Sequence, residues 1–336
     1  MIASSTPPDK SHAARATARD KAMRVKGLGL CAGLSARPAS GYIRRMEIAF
    51  HLGAHYTDQD HLVRCLMRNR ASLLDEGIAV PGPGRYRQQL RQLAFEMRER
   101  ETNAETQEAL LDGILDEDNV DRVVFSSDNF LSMAKWAVSS SRLYHAAGER
   151  VRMLQHLFPD ARLEFFMALR NPATFLPALV KNDETGSVLK QIEGSDLTAL
   201  RWSATIARIA EAAPGVPITV WADEDTPLLW PEILRAVAGH SPDLVMDGWL
   251  AWYWSLVTPT SHAAMRRWFD LHPPVDDAAR RRTLAALLSR FVRPEAVEAD
   301  PMLPGWTDET VETLGEIYDE DLDLIAALPG VTLLEP

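Results

Sequence analysis

Four short, nearly continuous apolar runs punctuate the chain: MEIAFHLG (46–53), DRVVFSS (121–127), RLEFFMAL (162–169) and PITVWA (217–222). VTLL (331–334) adds a fifth candidate. Each run is bounded by charged or turn-forming residues, the pattern of a strand covered on both faces. Between the runs the apolar positions shift to helical spacing. Leu62, Leu66, Leu73 and Leu74 share one face over 58–76. Leu90, Leu93 and Met97, then Leu110, Leu111 and Ile114, predict one long helical segment or two over 87–115. Leu197, Leu200, Trp202, Ile206 and Ile209 do the same over 196–213. Strands alternating with helices predict βαβ crossovers and a three-layer α/β sheet. From about residue 240 the pattern becomes helical, over 249–257, 263–271 and 276–292. A last helix is expected over 307–328, with Thr307 as its N-cap and Pro329-Gly330 as its stop, before the closing strand.

Composition narrows the classes. At 336 residues and 46 % hydrophobic, the chain can bury a sizeable core. No run approaches the ~18–20 consecutive apolar residues of a membrane-spanning helix. Only Cys31 and Cys65 are present, without a CxxC pair, so neither a disulfide framework nor a thiolate zinc site is expected. A reducing, cytoplasmic setting fits that usage. Residues 1–45 hold nine Lys/Arg against two acids, net +7; the whole chain is −11, so residues 46–336 carry −18. A body that acidic repels phosphodiester backbones, and nucleic acid is not an expected partner. The basic arm, 1–45, reads as a disordered segment, untranslated or removed if Met46 is the true start, ahead of one domain over 46–336. Its GLGLCAGLSA stretch (27–36) is the alternative, a targeting segment, but it is Gly-rich and short for one.

The densest chemistry is HLGAHYTDQDH (51–61), with three histidines and two aspartates where the first strand turns into the first helix. Ligands of parallel sheets bind outside the carboxyl ends of strands, and a helix N-terminus presents free N–H groups to an anion. A metal site on His51, His55, Asp58 and His61 is a second reading of the same residues. Against it, His51 belongs to the strand and His55 to the loop, which leaves only Asp58 and His61 well spaced on a helix.

Residues 51–82, HLGAHYTDQDHLVRCLMRNRASLLDEGIAVPG, resemble the opening of bacterial sulfotransferase-like proteins. That family begins with a strand, then H-x-G-x-H-K-T-G-T-T, a helix running to N-x-x-x-L, and a G-I-x-x-P segment. His51, Gly53, His55, Thr57, Asn69, Leu73, Gly77, Ile78 and Pro81 match. Arg170-Asn171-Pro172 is similar to the family's R-x-P element, whose arginine binds the 3′-phosphate of the sulfuryl donor PAPS. The tail resembles the family's closing helix and strand at Trp306, Leu314, Tyr318 and Asp321. The resemblance implies a P-loop-NTPase-like parallel sheet flanked by helices, with a helical C-terminal portion. It further implies PAPS as cofactor, held by Gly53, His55, Tyr56, Thr57 and Arg170, and a small-molecule or carbohydrate acceptor bearing a hydroxyl or amine. No metal is implied.

The departures from the family pattern fall on the donor. Family K-T-G-T-T reads Tyr56-Thr57-Asp58-Gln59-Asp60 here. The phosphosulfate-neutralising lysine is gone, the loop glycine has become Asp58, and both terminal hydroxyl positions are lost, to Gln59 and Asp60. Two unit charges ~5 Å apart at an effective dielectric of ~20 repel by about 3 kcal/mol, so each carboxylate opposes a bound dianion. The family serine eight residues after the arginine is Ala178, and Pro177 is expected to interrupt the helix there. The favoured expectation is therefore a sulfotransferase-like chain with lost or weakened donor binding. An active PAPS-dependent sulfotransferase with a non-standard loop is the alternative, with Arg170, Arg85 or Arg87 compensating. Asp58 and Asp60 could equally serve helix stability at the positive end of the dipole.

Three further candidates stand beside the loop. Asp128, in SSDNF, is a candidate general base for the acceptor hydroxyl, or else part of an N-cap for FLSMAKWAV. Arg85 and Arg87 form an anion-receiving loop or a solvated helix start. Trp249, Trp252, Tyr253 and Trp254 form a stacking platform or, at helical spacing, a piece of core.

Overall fold

The computed structural model describes residues 46–117, 120–297 and 302–336. The basic arm, its 27–36 stretch and Cys31 lie outside the described residues. The chain runs β1 (Glu47–His51), α1 (His61–Arg68), α2 (Arg70–Asp75), β2 (Ile78–Ala79), α3 (Pro83–Glu96), α4 (Ala104–Ile114) and β3 (Arg122–Ser126). A small hairpin, β4 (Val138–Ser139) and β5 (Arg142–Leu143), leads to α5 (Ala147–Leu157) and β6 (Arg162–Leu169). Then come α6 (Pro172–Lys181), α7 (Ser187–Glu193), α8 (Trp202–Ala212), β7 (Ile218–Ala222) and α9 (Thr226–Ala238). The last part is helical, α10 (His262–Leu271), α11 (Asp277–Phe291), α12 (Pro294–Val297) and α13 (Asp308–Ala326), before β8 (Val331–Leu334).

Six strands form one sheet in the order β2-β3-β1-β6-β7-β8, and every pairing is parallel. The side-chain period of two sorts each strand between two cores. Ile48, Phe50, Val123, Phe125, Phe165 and Val220 face one side, beneath α3, α4, α5, α8 and α13. Ala49, Val124, Phe166, Ala168 and Trp221 face the other, beneath α1 and α9. Burial on both faces is why the strands read as continuous apolar runs rather than alternating ones. The three-layer parallel α/β architecture and the helical C-terminal portion expected from the pattern are both present.

At the amino end of the sheet, Arg122 is 6 % exposed and bridges Glu47 and Glu164, while its guanidinium also donates to the Val237 carbonyl. This fixed charge cluster lies at the opposite end of the strands from the loop that concerns function.

The structure decides several local expectations. The helix expected over 58–76 breaks at Asn69, whose side chain bonds Cys65 O and the backbone of Asp247 instead of continuing the turn. The 87–115 segment is two helices, the second capped by Asn103. Residues 249–255 form 3₁₀ turns, with Tyr253 buried and Trp252 stacked on Trp230 at 5.2 Å, so this aromatic cluster packs into core. No α-helix follows Asp128; a turn and a short 3₁₀ segment over Ala134–Trp136 stand there, and Asp128 caps nothing. Pro177 does not interrupt α6, which runs through it. Thr307 caps α13 as expected, its Oγ1 accepting from Thr310 N at 3.2 Å.

Candidate functional site

The site begins where β1 leaves the sheet. His51 stays in the strand, its Nδ1 2.9 Å from Ser126 Oγ and its ring stacked on Trp221. Gly53 has φ +104°, a conformation side chains rarely adopt, and a Cβ there would press on Asp128 Cα at 3.1 Å, so the loop passes close against the end of β3. His55 turns the other way and stacks on Tyr144, which is fully buried. Tyr144 Oη accepts from His55 N–H at 3.0 Å and sits 2.6 Å from His55 Nδ1. One hydroxyl thus holds both the backbone and the ring of His55. Burial pushes the His55 pKa down, against the pull of Asp128.

The five residues that follow close the loop on itself. Thr57 Oγ1 donates to Ala54 O at 2.8 Å. Asp58 Oδ2 accepts from Leu62 N–H at 2.9 Å, and its own carbonyl accepts from His61 N–H at 2.8 Å. These are the orphan N–H groups of the first turn of α1, the donors an external anion would use. Asp60, in the left-handed region at φ 64°, is gripped by both guanidinium nitrogens of Arg87, at 2.5 and 3.2 Å. Arg87 Nε in turn donates to Ser126 O at 2.9 Å. The hydrogen bond from Arg87 holds the Asp60 carboxyl below its usual range. Arg85, the neighbouring candidate, pairs with Asp116 out on the surface.

Tyr56, Thr57, Asp58 and Arg170 line a cleft of about 510 Å³ together with Asp223 and Trp252. Arg170 donates from Nη1 to Tyr56 O at 2.7 Å and from Nε to Thr174 Oγ1 at 3.0 Å. Thr174 supplies a hydroxyl partner to Arg170 where Ala178 cannot. Asp223, the first residue after β7, has Oδ2 4.0 Å from Arg170 Nε. Burial, then the neighbouring Glu224, push the Asp223 carboxyl up to about 7, against the pull of Arg170. Glu224 accepts from Asn171 N and from the Tyr318 hydroxyl, tying β7 to α6 and α13.

Of the sequence-predicted residues, Tyr56, Thr57 and Arg170 share this cleft, while Gly53 and His55 support it from behind. Asp128 does not line it; it stands against Gly53 with its Oδ1 accepting from Asn129 Nδ2 at 2.6 Å. His51 and His55 are held by different partners in different directions. Among the described residues no three His, Cys, Asp or Glu side chains converge to hold a metal, so the reading on His51, His55, Asp58 and His61 has no geometric support. Sequence reasoning missed Asp223, Glu224 and Tyr144. The first two had a signal, the DED triplet directly after a parallel strand, at the edge where such sheets place ligands. Tyr144 had none.

No family model matches the chain, and no curated protein matches it in sequence. Among solved structures, a sulfotransferase from Alicyclobacillus acidocaldarius is similar at 16 % identity, over 72 % of this chain and 96 % of that one, with a TM-score of 0.35. So loose a superposition assigns no residue a role.

Proposed function

We propose that residues 46–336 form one sulfotransferase-like domain that has lost, or greatly weakened, PAPS binding and acts as a non-catalytic binding module. One observation carries this reading. The Asp58 carboxylate sits on the Leu62 N–H at the start of α1, where a donor phosphate would have to sit. An incoming dianion would have to displace an intramolecular anion that needs no translational entropy to bind, and Asp60 beside it is fixed by Arg87. Arg170, the remaining candidate for the 3′-phosphate, is tied to the Tyr56 carbonyl and to the Thr174 hydroxyl. The motif frame of His51, Gly53, His55, Thr57 and Arg170 supports the kinship, and the closed loop supports the loss.

Calorimetric titration with adenosine 3′,5′-bisphosphate tests it. The expected result is no saturable heat below about 1 mM, with binding recovered when Tyr56→Lys, Asp58→Gly, Gln59→Thr and Asp60→Thr are combined. Micromolar binding by the unaltered chain, abolished by Arg170→Ala, would establish the alternative, an active sulfotransferase with a non-standard loop and a hydroxyl or amine acceptor.

A further inference from the structure

A second cavity, of about 540 Å³, lies between α3, the turn after β3 and the first turn of α5. That volume falls within the ~300–1,000 Å³ of small-molecule pockets. Its floor is Phe130 and Leu131, both buried. Its walls carry Phe95, Met133 and Trp136, which are 46, 44 and 52 % exposed. These are three of the nine large apolar side chains exposed among the described residues, so the apolar exposure is concentrated here rather than scattered.

The charge of this cavity runs against that of the chain. Arg91, Arg150 and His145 line it, and no Asp or Glu does. Among the described residues neither Arg91 nor Arg150 has a carboxylate within 4.0 Å, whereas Arg87, Arg122, Arg170 and Arg235 each do. Arg150 lies over the Phe95 ring at 4.2 Å and reaches the Met153 sulfur at 3.6 Å. Burial pushes its pKa down, the sign of a cation short of solvation. Arg91 and Phe95, four apart on α3, present a cation and an aromatic face side by side. An arginine fork pairs with a planar carboxylate through two parallel hydrogen bonds, and aromatic side chains stack on a flat ring.

We propose that this cavity binds a small aryl carboxylate, its ring against Phe95, Met133 and Trp136 and its carboxylate on Arg91 and Arg150. The ligand owes nothing to the donor loop, and the proposal does not rest on whether PAPS binds. It gives a binding module of this fold a ligand class of its own.

The test is titration of the full chain with 2-naphthoate, beside its neutral analogue 2-naphthylmethanol and its cationic analogue 2-naphthylmethylamine. Saturable one-to-one binding of 2-naphthoate is expected, with a Kd on the order of 10–100 μM. The neutral analogue should bind at least about tenfold more weakly and the amine not measurably. Arg91→Glu, at an exposed position that leaves folding intact, should weaken 2-naphthoate at least about tenfold, and Trp136→Ala should weaken both naphthoate and alcohol. The proposal is overturned if naphthoate shows no saturation below about 1 mM, if the alcohol binds as tightly, or if Arg91→Glu changes nothing. Heat with adenosine 3′,5′-bisphosphate would count against the closed donor loop alone, and silence with naphthoate against this cavity alone.

Discussion

The two clefts at the carboxyl edge of the sheet treat their arginines in opposite ways. At the loop after β1 two arginines meet internal carboxylates, Arg87 holding Asp60 and Arg170 facing Asp223, while Arg293 across that cleft donates to the Ser255 carbonyl. In the cleft between α3 and α5, which no Asp or Glu lines, neither Arg91 nor Arg150 has a carboxylate within 4.0 Å among the described residues. The first cleft holds residues of the motif legible in the sequence, and the second has no motif at all. Positive charge near a strand end therefore says little about anion binding until its internal partners are counted. A compensated arginine is part of the scaffold, while an uncompensated one beside exposed aromatic faces is available to a ligand.

Tyr144 is where this comparison can be broken hardest. It hydrogen-bonds His55 behind the donor loop, and the next residue, His145, lines the second cleft. Tyr144→Phe leaves two buried groups of His55 unpaired and should cost about 2–3 kcal/mol in urea unfolding. The variant's affinity for 2-naphthoate should also fall below that of the unaltered chain, because the turn that carries His145 loosens. Unchanged stability would mean that the loop is not anchored through Tyr144.

Asp223→Asn should act in the opposite direction. The folded carboxyl titrates near 7, above the ordinary range, so the folded state binds the extra proton between about pH 4 and 7. Stability from that proton is complete below the unfolded value and is lost as pH rises through 7. The substitution should therefore raise stability by on the order of 2 kcal/mol at pH 8 and by nothing at pH 4, a figure reduced for the 19 % of the side chain that meets solvent. A gain equal at both pH values would show that the charge is not its cause.

Arg87→Ala releases Asp60 and the Ser126 carbonyl and should cost about 1 kcal/mol at pH 7, since Asp60 is half-exposed. The Asp60 carboxyl is held below its usual range in the folded state, so this penalty should fade as acid protonates it, which denaturation at pH 3 would reveal. Arg85→Ala, which breaks only a surface pair with Asp116, should leave the thermal midpoint unchanged. A large shift there would refute the distinction between the two arginines of RYR.

Much of the architecture was legible because strands buried on both faces leave a local mark in composition. All five predicted strands exist, within one or two residues of their expected bounds. β2, only two residues long, and the β4–β5 hairpin leave too little pattern to be read. The helix expected over FLSMAKWAV failed because capping residues are also turn residues, and only packing chose between them. Asn69 broke a helix whose apolar spacing was sound, since its side chain found partners 178 residues away in sequence.

The sequence by itself determined the alternation of strands and helices, the place of the loop at the end of β1, and the presence of Tyr56, Asp58 and Asp60 within it. Those are properties of residue type and order. Tertiary structure alone decided which carboxylate meets which arginine, that Asp58 turns inward onto Leu62, and that Arg91 and Arg150 meet Phe95 and Trp136 around one cavity. Charge pairing depends on distances between segments far apart in the chain. Nothing local records those distances until the sheet has assembled.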